Sequence, residues 1–522
     1  MKRLDGKEEV EASLRLLARL LGARGAWFLR EGRDGRSVEL LRGEWELRAA
    51  GGSLVFSCRG ESGARAWRVV SWRAEGEGLC LEAVGRVGAK RALLQLVPRA
   101  PVATARAAVA DARRAECERL AALVCGAARA RLEHASLSPG ARRGEPGRWA
   151  RVLLRMRAGG SGRVAVAAPV VPVGPEAVES FLTSALLWFI RLGEGERGAR
   201  SLRLVAPRAL AAAACERLPL LREDLRGRVS VYELGEEGRG LSPLHVPTLE
   251  ELLDAPAPNL SRAPSHSPSE LTASVVALAP GEIDTVRARH GETLRFRGLP
   301  FARVRRVAGR EHLWFGVGGR RELFEEGKEA DFFNLLAALA EHRRAGAPER
   351  RHALYRAAPE AWLEALLRRD VTRLDRGLRL APVHAQFRAA RGGACAARPV
   401  DLLALRRDGR LVVVELKVSE DASLALQGAD YWRRVEAQRR AGHLARARLF
   451  GDAELADEPP LLYLVAPMLR FHRSFQTLAR CITPEVEMYR FDLNEDWRAG
   501  VRVARRGDVN RGPSWGASGL NK

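Results

Sequence analysis

Apolar and polar positions alternate over Leu411–Lys417, an apolar run heads the stretch at Val400–Leu405, and Asp408-Gly409 stands between them. Period-two alternation on either side of an Asp-Gly pair predicts a β-hairpin. PEAWLEALLRRD predicts a helix before it and LRLAPVHAQF a first strand. After it, Gln427-x-x-x-Tyr431 opens a helical segment, PLLYLVAP predicts a strand, Phe471–Cys481 a helix and EVEMYRFDL a last strand. The expected order is αβββαβ.

The same rhythm occurs earlier. Residues 1–100 predict an amphipathic helix over roughly 8–22 and short strands between glycine-rich turns: SVELL, WELRA, SLVFS, AWRVVSW, LCLEAV and RALLQLV. Residues 103–133 have helical periodicity. From Trp149 the pattern becomes α/β: RVLLRMR and GRVAVAAPV as strands, a helix over Glu176–Leu192, the strand SLRLVAP, a helix over Ala209–Leu225 and the strand RVSVYEL. PAPNLSRAPSHSPSE, at 255–269, reads as a linker. A β-rich piece over 270–322 and the helical RRELFEEGKEADFFNLLAALAEHRRA follow. The expected domains are a small β-rich domain at 1–100, an α/β domain at 103–240, a linker at 241–269, a β-rich piece with its helical connection at 270–350, a second α/β domain at 351–505 and a disordered tail at 506–522.

The two α/β parts read as an internal repeat. Leu-Val-Ala-Pro recurs at 204–207 and 464–467. Matching Leu153-Leu154 to Leu402-Leu403 sets Val152 opposite Asp401. Matching Gly162-Arg163 to Gly409-Arg410 sets Ala168 opposite Glu415 and Val170 opposite Lys417, with Ser184 opposite Gln427 and Trp188 opposite Tyr431. The first copy is then a scaffold without the chemical groups of the second.

Those groups are the candidate site. Asp401 lies on one predicted strand and Glu415 on its hairpin partner, while Glu415 and Lys417, two apart, share a face. Two carboxylates and an ammonium on one sheet face need a counterion, because unpaired buried charge is expensive. The lysine is informative. Of 87 Lys+Arg, only Lys2, Lys7, Lys90, Lys328, Lys417 and Lys522 are lysines. An orientable ammonium with an adjustable pKa does what a guanidinium does not.

At these residues the chain resembles the PD-(D/E)XK nuclease superfamily, in its NucS- and RecB-like branch. Asp401 matches the family aspartate, Glu415-Leu416-Lys417 the (D/E)XK triplet, and Gln427 with Tyr431 the helical signature; Pro399 is one residue removed from Asp401 instead of adjacent. Many members carry a glutamate on the preceding helix, and both Glu360 and Glu364 are available one turn apart. Glu360 has the spacing usual in the NucS-like branch, with Leu363 and Leu367 after it. The resemblance implies a restriction-endonuclease-like fold and Mg²⁺ (or Mn²⁺) held by Asp401, Glu415, the Leu416 carbonyl and Glu360. It also implies hydrolysis of DNA phosphodiester bonds with Lys417, Gln427 and Tyr431 as further site residues.

Composition adds partners and exclusions. A formal charge of +23 over 522 residues favours a polyanion. No apolar run approaches the ~20 residues of a membrane span, and the N-terminus lacks a signal-peptide pattern, so the expected setting is cytoplasmic. The seven cysteines form no CxxC pair, which indicates neither a zinc ribbon nor a disulfide framework. No Walker loop, Gly-x-Ser-x-Gly or metal-spaced histidine pair occurs, and GVGGR at 316–320 lacks a phosphate loop's context. The expectation is a Mg-dependent endodeoxyribonuclease in DNA repair or phage defence, working as a homodimer or an internal pseudo-dimer. The alternative is a non-catalytic nucleic-acid-binding protein on a nuclease fold.

Overall fold

The computed structural model describes all residues except 1, 5, 24, 32–36, 61–62, 76–77, 86–90, 100–101, 141–144, 157–161, 194–197, 236–239, 257–259, 261–267, 289–290, 308–309, 319–320, 389–397 and 511–522. The described residues have a mixed α/β fold with four separate sheets. It divides into two compact units, Met1–Ala112 and Arg113–Lys522.

In the first unit the strands Ser37–Leu41, Ala26–Glu31, Arg91–Pro98, Gly78–Gly85, Gly63–Glu75, Ser53–Gly60 and Trp45–Ala50 lie side by side in that order, with Lys2–Arg3 added beside Gly63–Glu75. All the ladders among them are antiparallel. The helix Lys7–Gly22 sets Val10, Leu17 and Leu21 into a core with Trp27, Leu54 and Phe56. Trp72 Nε1 donates to Ser13 Oγ at 3.0 Å, tying helix to sheet. The predicted strands all form, and Ala26–Glu31 is an additional one.

The second unit holds the repeat. Its first half runs α1 (Val102–Ala128, from the preceding unit), β1 (Ala130–Pro139), β2 (Pro146–Met156), β3 (Arg163–Pro169), α2 (Val178–Leu192), β4 (Ala199–Pro207), α3 (Arg208–Cys215), β5 (Val229–Leu234) and β6 (Leu241–Leu244). A short helix, α4 (Leu249–Leu253), follows inside the expected linker, opened by a capping box of Thr248 and Glu251. Next come β7 (Ile283–Ala288), β8 (Gly291–Phe296), β9 (Leu299–Val307), β10 (Arg310–Phe315) and β11 (Glu322–Leu323), an antiparallel meander, and α5 (Glu329–His342). The last part is α6 (Pro359–Arg369), β12 (His384–Phe387), β13 (Val400–Leu405), β14 (Leu411–Leu416), α7 (Leu424–Arg440), β15 (Leu461–Pro467), α8 (Phe475–Ala479), β16 (Met488–Leu493) and β17 (Val503–Asp508).

The six-stranded sheets β1–β6 and β12–β17 have the same topology. Strands stand in sequence order, antiparallel over the first three, parallel from third to fourth and fourth to fifth, and antiparallel again at the end. The parallel step needs a crossover, supplied by α2 in one copy and α7 in the other. These helices meet: one continuous core takes Phe181, Leu182 and Leu186 from α2, Leu424, Leu426 and Val435 from α7, and inward residues of both sheets. Leu221 and Ile482 pair as an antiparallel bridge, with Arg222 N donating to Cys481 O and Thr483 N to Leu220 O, each at 2.8 Å. Carrying the Leu-Val-Ala-Pro match forward makes these near-equivalent positions, as in an isologous contact about a two-fold axis. Beside it, Asp430, 0% exposed, accepts from Arg217 at 3.2 Å and from Arg433 at 2.7 Å, binding the halves through buried charge.

Several elements differ from expectation. Strand β1 was not foreseen, its outward face being largely polar. The helix expected over Ala209–Leu225 breaks into α3, the 3-10 turn Leu218–Leu220 and Glu223–Arg226, with Pro219 at the break. The segment before α5 is helical only from Glu329, because Gly327 turns the chain at φ +86°. The helix expected over Phe471–Cys481 shrinks to α8. Residues 506–508, expected in the tail, end β17, and Val509 and Asn510 are buried; 511–522 lie outside the described residues. The expected linker is partly structured by β6 and α4, and 257–259 and 261–267 lie outside the described residues. The six described cysteines are free. No described helix is long and apolar enough to cross a membrane.

Candidate active site

The hairpin β13–β14 pairs Leu402 with Val414 and Leu405 with Leu411. Gly409 takes φ +85° at the turn, and a Cβ there would meet Glu454 O at 2.8 Å, so glycine is required. Leu402, Val412, Val414 and Leu416 pack on one side of the sheet against Trp362 and Leu363 of α6. The other side faces α7, and Glu415 points there with Leu403 and Val413. Gly428 lets α7 settle onto β15, since a Cβ would meet Leu464 Cδ2 at 2.6 Å.

Asp401 Oδ2 accepts from Leu416 N at 2.8 Å, and Lys417 Nζ donates to Glu415 Oε1 at 2.7 Å. Glu415 is 1% exposed, and its Oε2 is buried without a donor. The neighbour it does have is the Asp401 carboxyl. A carboxylate oxygen buried beside a second carboxyl group needs a proton, a cation or a donor such as water. The electrostatics agree. Burial and the Asp401 charge push Glu415 well above the usual carboxylate range, although Lys417 opposes this. Burial also raises Asp401, against the Leu416 amide and Lys417. Burial pulls Lys417 down, but Glu415, Glu360 and Asp401 outweigh it, so the ammonium keeps its proton.

Gln427 and Tyr431 lie buried one turn apart on α7, with Gln427 Nε2 donating to Tyr431 Oη at 2.8 Å. Burial and then the Glu415 and Asp401 charges raise the phenol. The helix glutamates separate. Glu364, 3% exposed, accepts from Arg295 Nη1 of β8 at 3.1 Å and from Gln386 Nε2 of β12 at 2.7 Å. Glu360 is half-buried at the start of α6, and its charge acts on Lys417. The hairpin, α7 and the first turn of α6 therefore bring Asp401, Glu415, Lys417, Tyr431 and Glu360 into one electrostatic cluster, with Gln427 behind Tyr431. Among the described residues no three His, Cys, Asp or Glu side chains close on one point, so any ion here would complete its shell with main-chain oxygen and water.

Sequence reasoning missed Arg295, Gln386 and Arg398. Arg398 precedes β13 and opposes the rise of the Tyr431 phenol. In a chain so rich in arginine no local pattern marks these residues.

The first copy is corrected by one residue at each strand. Glu415 pairs with Leu464 of the shared Leu-Val-Ala-Pro, and Leu204 pairs with Ala167, so Ala167 stands at the Glu415 position and Pro169 at that of Lys417. Leu402 pairs with Val414, and Val152 pairs with Val166, so Arg151 stands at the position of Asp401. The physical reason is that one-residue slips preserve apolar rhythm where both faces are buried, yet move each side chain to the other face. Val152, Ala168 and Val170 belong to the core on the α1 side of the sheet. Arg151 instead faces α2, where Nη2 donates to Ser184 Oγ at 3.3 Å and the guanidinium lies 5.8 Å from the Trp188 ring.

No family model matches the chain, and no curated protein does. Among solved structures, that of EndoMS in apo form is similar over 47% of this chain and 97% of its own, with 16% identity and a TM-score of 0.15.

Proposed function

We propose that the chain is a divalent-ion-dependent nuclease that hydrolyses DNA phosphodiester bonds at the Asp401–Glu415–Lys417 cluster, on a restriction-endonuclease-like domain. The observation that carries this reading is the state of Glu415: its Oε2 is buried without a donor, the Asp401 carboxyl acts on it, and an ammonium is held 2.7 Å from its other oxygen. Hard oxygen donors suit Mg²⁺ or Mn²⁺. Asp401, Glu415 and the Leu416 carbonyl would hold the ion, with Glu360 reaching it through water. Bound there, it would polarise a phosphoryl oxygen and make bound water more acidic.

The chain's own groups do the rest. Lys417, kept protonated by its acidic neighbours, offsets negative charge growing on the phosphoryl oxygens. Tyr431 and Gln427 wall the site and hold each other in register. The formal charge of +23 supports a polyanionic substrate. One copy bears these groups and the other does not, so the fused pair acts as a pseudo-dimer that cuts one strand. The test is conversion of supercoiled plasmid with Mg²⁺, expected for the wild type and lost in Lys417→Ala. A wild type that binds DNA without cutting it under any divalent ion refutes catalysis and leaves a binding protein.

A further inference from the structure

The first α/β half replaces a carboxylate with an arginine at the position equivalent to Asp401. We propose that this half carries an anion site, built on Arg151, Ser184 and Arg191, that grips a backbone phosphate of nucleic acid. The identity of the ligand rests on the nuclease reading above; the site's preference for an anion does not.

Arg151 emerges from β2 toward α2. Its Nη2 donates to Ser184 Oγ at 3.3 Å, while its Nε is buried and has no acceptor. Among the described residues no carboxylate pairs with it. Burial, and then a second cation, exposed Arg191 two turns after Ser184 on α2, lower the Arg151 pKa. A partly buried guanidinium with an idle donor and a like-charged neighbour lacks an anion. Trp188, one turn after Ser184, flanks the guanidinium at 5.8 Å. Ser180, one turn before Ser184, lines a cavity of about 570 Å³ with Arg148 of β2 and Arg398, which lies two residues before the second copy's hairpin; Glu176 is the one acid on its wall. Arg398 in turn acts on Tyr431. A line of cations thus runs along α2, from Arg191 and Arg151 to the cavity shared by Arg148 and Arg398. Phosphates spaced along a backbone fit such a line, whereas a single small anion would need only one of these groups.

The full chain, in EDTA so that nothing is cut, is titrated against a labelled duplex oligonucleotide by fluorescence anisotropy over a salt series. Losing one phosphate contact reduces the slope of log K against log salt by about 0.9. Arg151→Gln is expected to show that reduction with weaker binding, and Arg151→Lys to keep the slope. Should Arg151→Gln not fold by circular dichroism, Arg191→Gln, exposed on α2, carries the test with the same expectation. Unchanged affinity and slope in the folded variant, or no DNA binding by the wild type, overturns the proposal. Cleavage is not read, so inactivity of the wild-type enzyme on plasmid would sink the nuclease reading alone.

Discussion

Glu364→Ala and Glu360→Ala, one helical turn apart, should fail in different ways. Glu364 is 3% exposed and bonds Arg295 at 3.1 Å and Gln386 at 2.7 Å. Removing one partner of a buried ion pair costs about 3–5 kcal/mol, mostly because the other charge is stranded. Arg295 is not wholly stranded here, since Asp284 still receives its Nε at 3.0 Å and Nη2 at 3.1 Å. The expected cost is therefore the lower bound, about 3 kcal/mol. With a urea m-value of about 3 kcal/mol per molar, the unfolding midpoint falls by about 1 M. Glu360, half-buried and acting on Lys417, should change stability by no more than about 0.5 kcal/mol. Its loss should instead lower plasmid cleavage by about tenfold, the value of one charge-assisted contact. Urea unfolding by circular dichroism and initial cleavage rates measure the two effects. A Glu364→Ala midpoint equal to wild type, or a Glu360→Ala protein that cuts normally, would refute this division of labour.

Other outcomes follow from the same geometry. Because burial raises both Asp401 and Glu415, and the Asp401 charge raises Glu415 further, their proton-binding differs between states. Below the unfolded values of 3.8 and 4.5 both states are protonated and no stability is lost; as pH rises above them the unfolded chain ionises first, so stability of the metal-free protein falls until the folded pair ionises. Melting in EDTA should show that fall in the wild type and a smaller one in Glu415→Gln, while added Mg²⁺ should raise the wild-type melting temperature and leave Asp401→Asn unmoved. If Glu360 helps Lys417 keep its proton, Glu360→Gln should shift the alkaline limb of the cleavage–pH profile to lower pH, and an unshifted limb would remove Glu360 from the cluster. A supercoiled plasmid should accumulate open circles before linear product; linear DNA appearing directly at low enzyme concentration would mean that two active centres meet through oligomerisation, against the single-centre pseudo-dimer.

The amino-acid sequence by itself determined the local structure around the hairpin. Asp408-Gly409 pins the turn, period two puts Glu415 and Lys417 on one face, and helical spacing sets Gln427 beside Tyr431; these depend only on neighbours in the chain. It also revealed the repeat, through Leu-Val-Ala-Pro and the shared order of apolar runs. Strands β1 and β17 were missed because sheet edges are half polar and their pattern resembles loop. Tertiary structure alone decided the rest. The two glutamates of α6 share a face, and what separates them is Arg295, a residue 69 positions away on another sheet. In the first copy, β3 is buried on both faces and carries no alternation, so apolar rhythm fits two registers equally well. Only the ladders to the neighbouring strands choose between them, and that choice puts Arg151 rather than Val152 where the second copy has its aspartate.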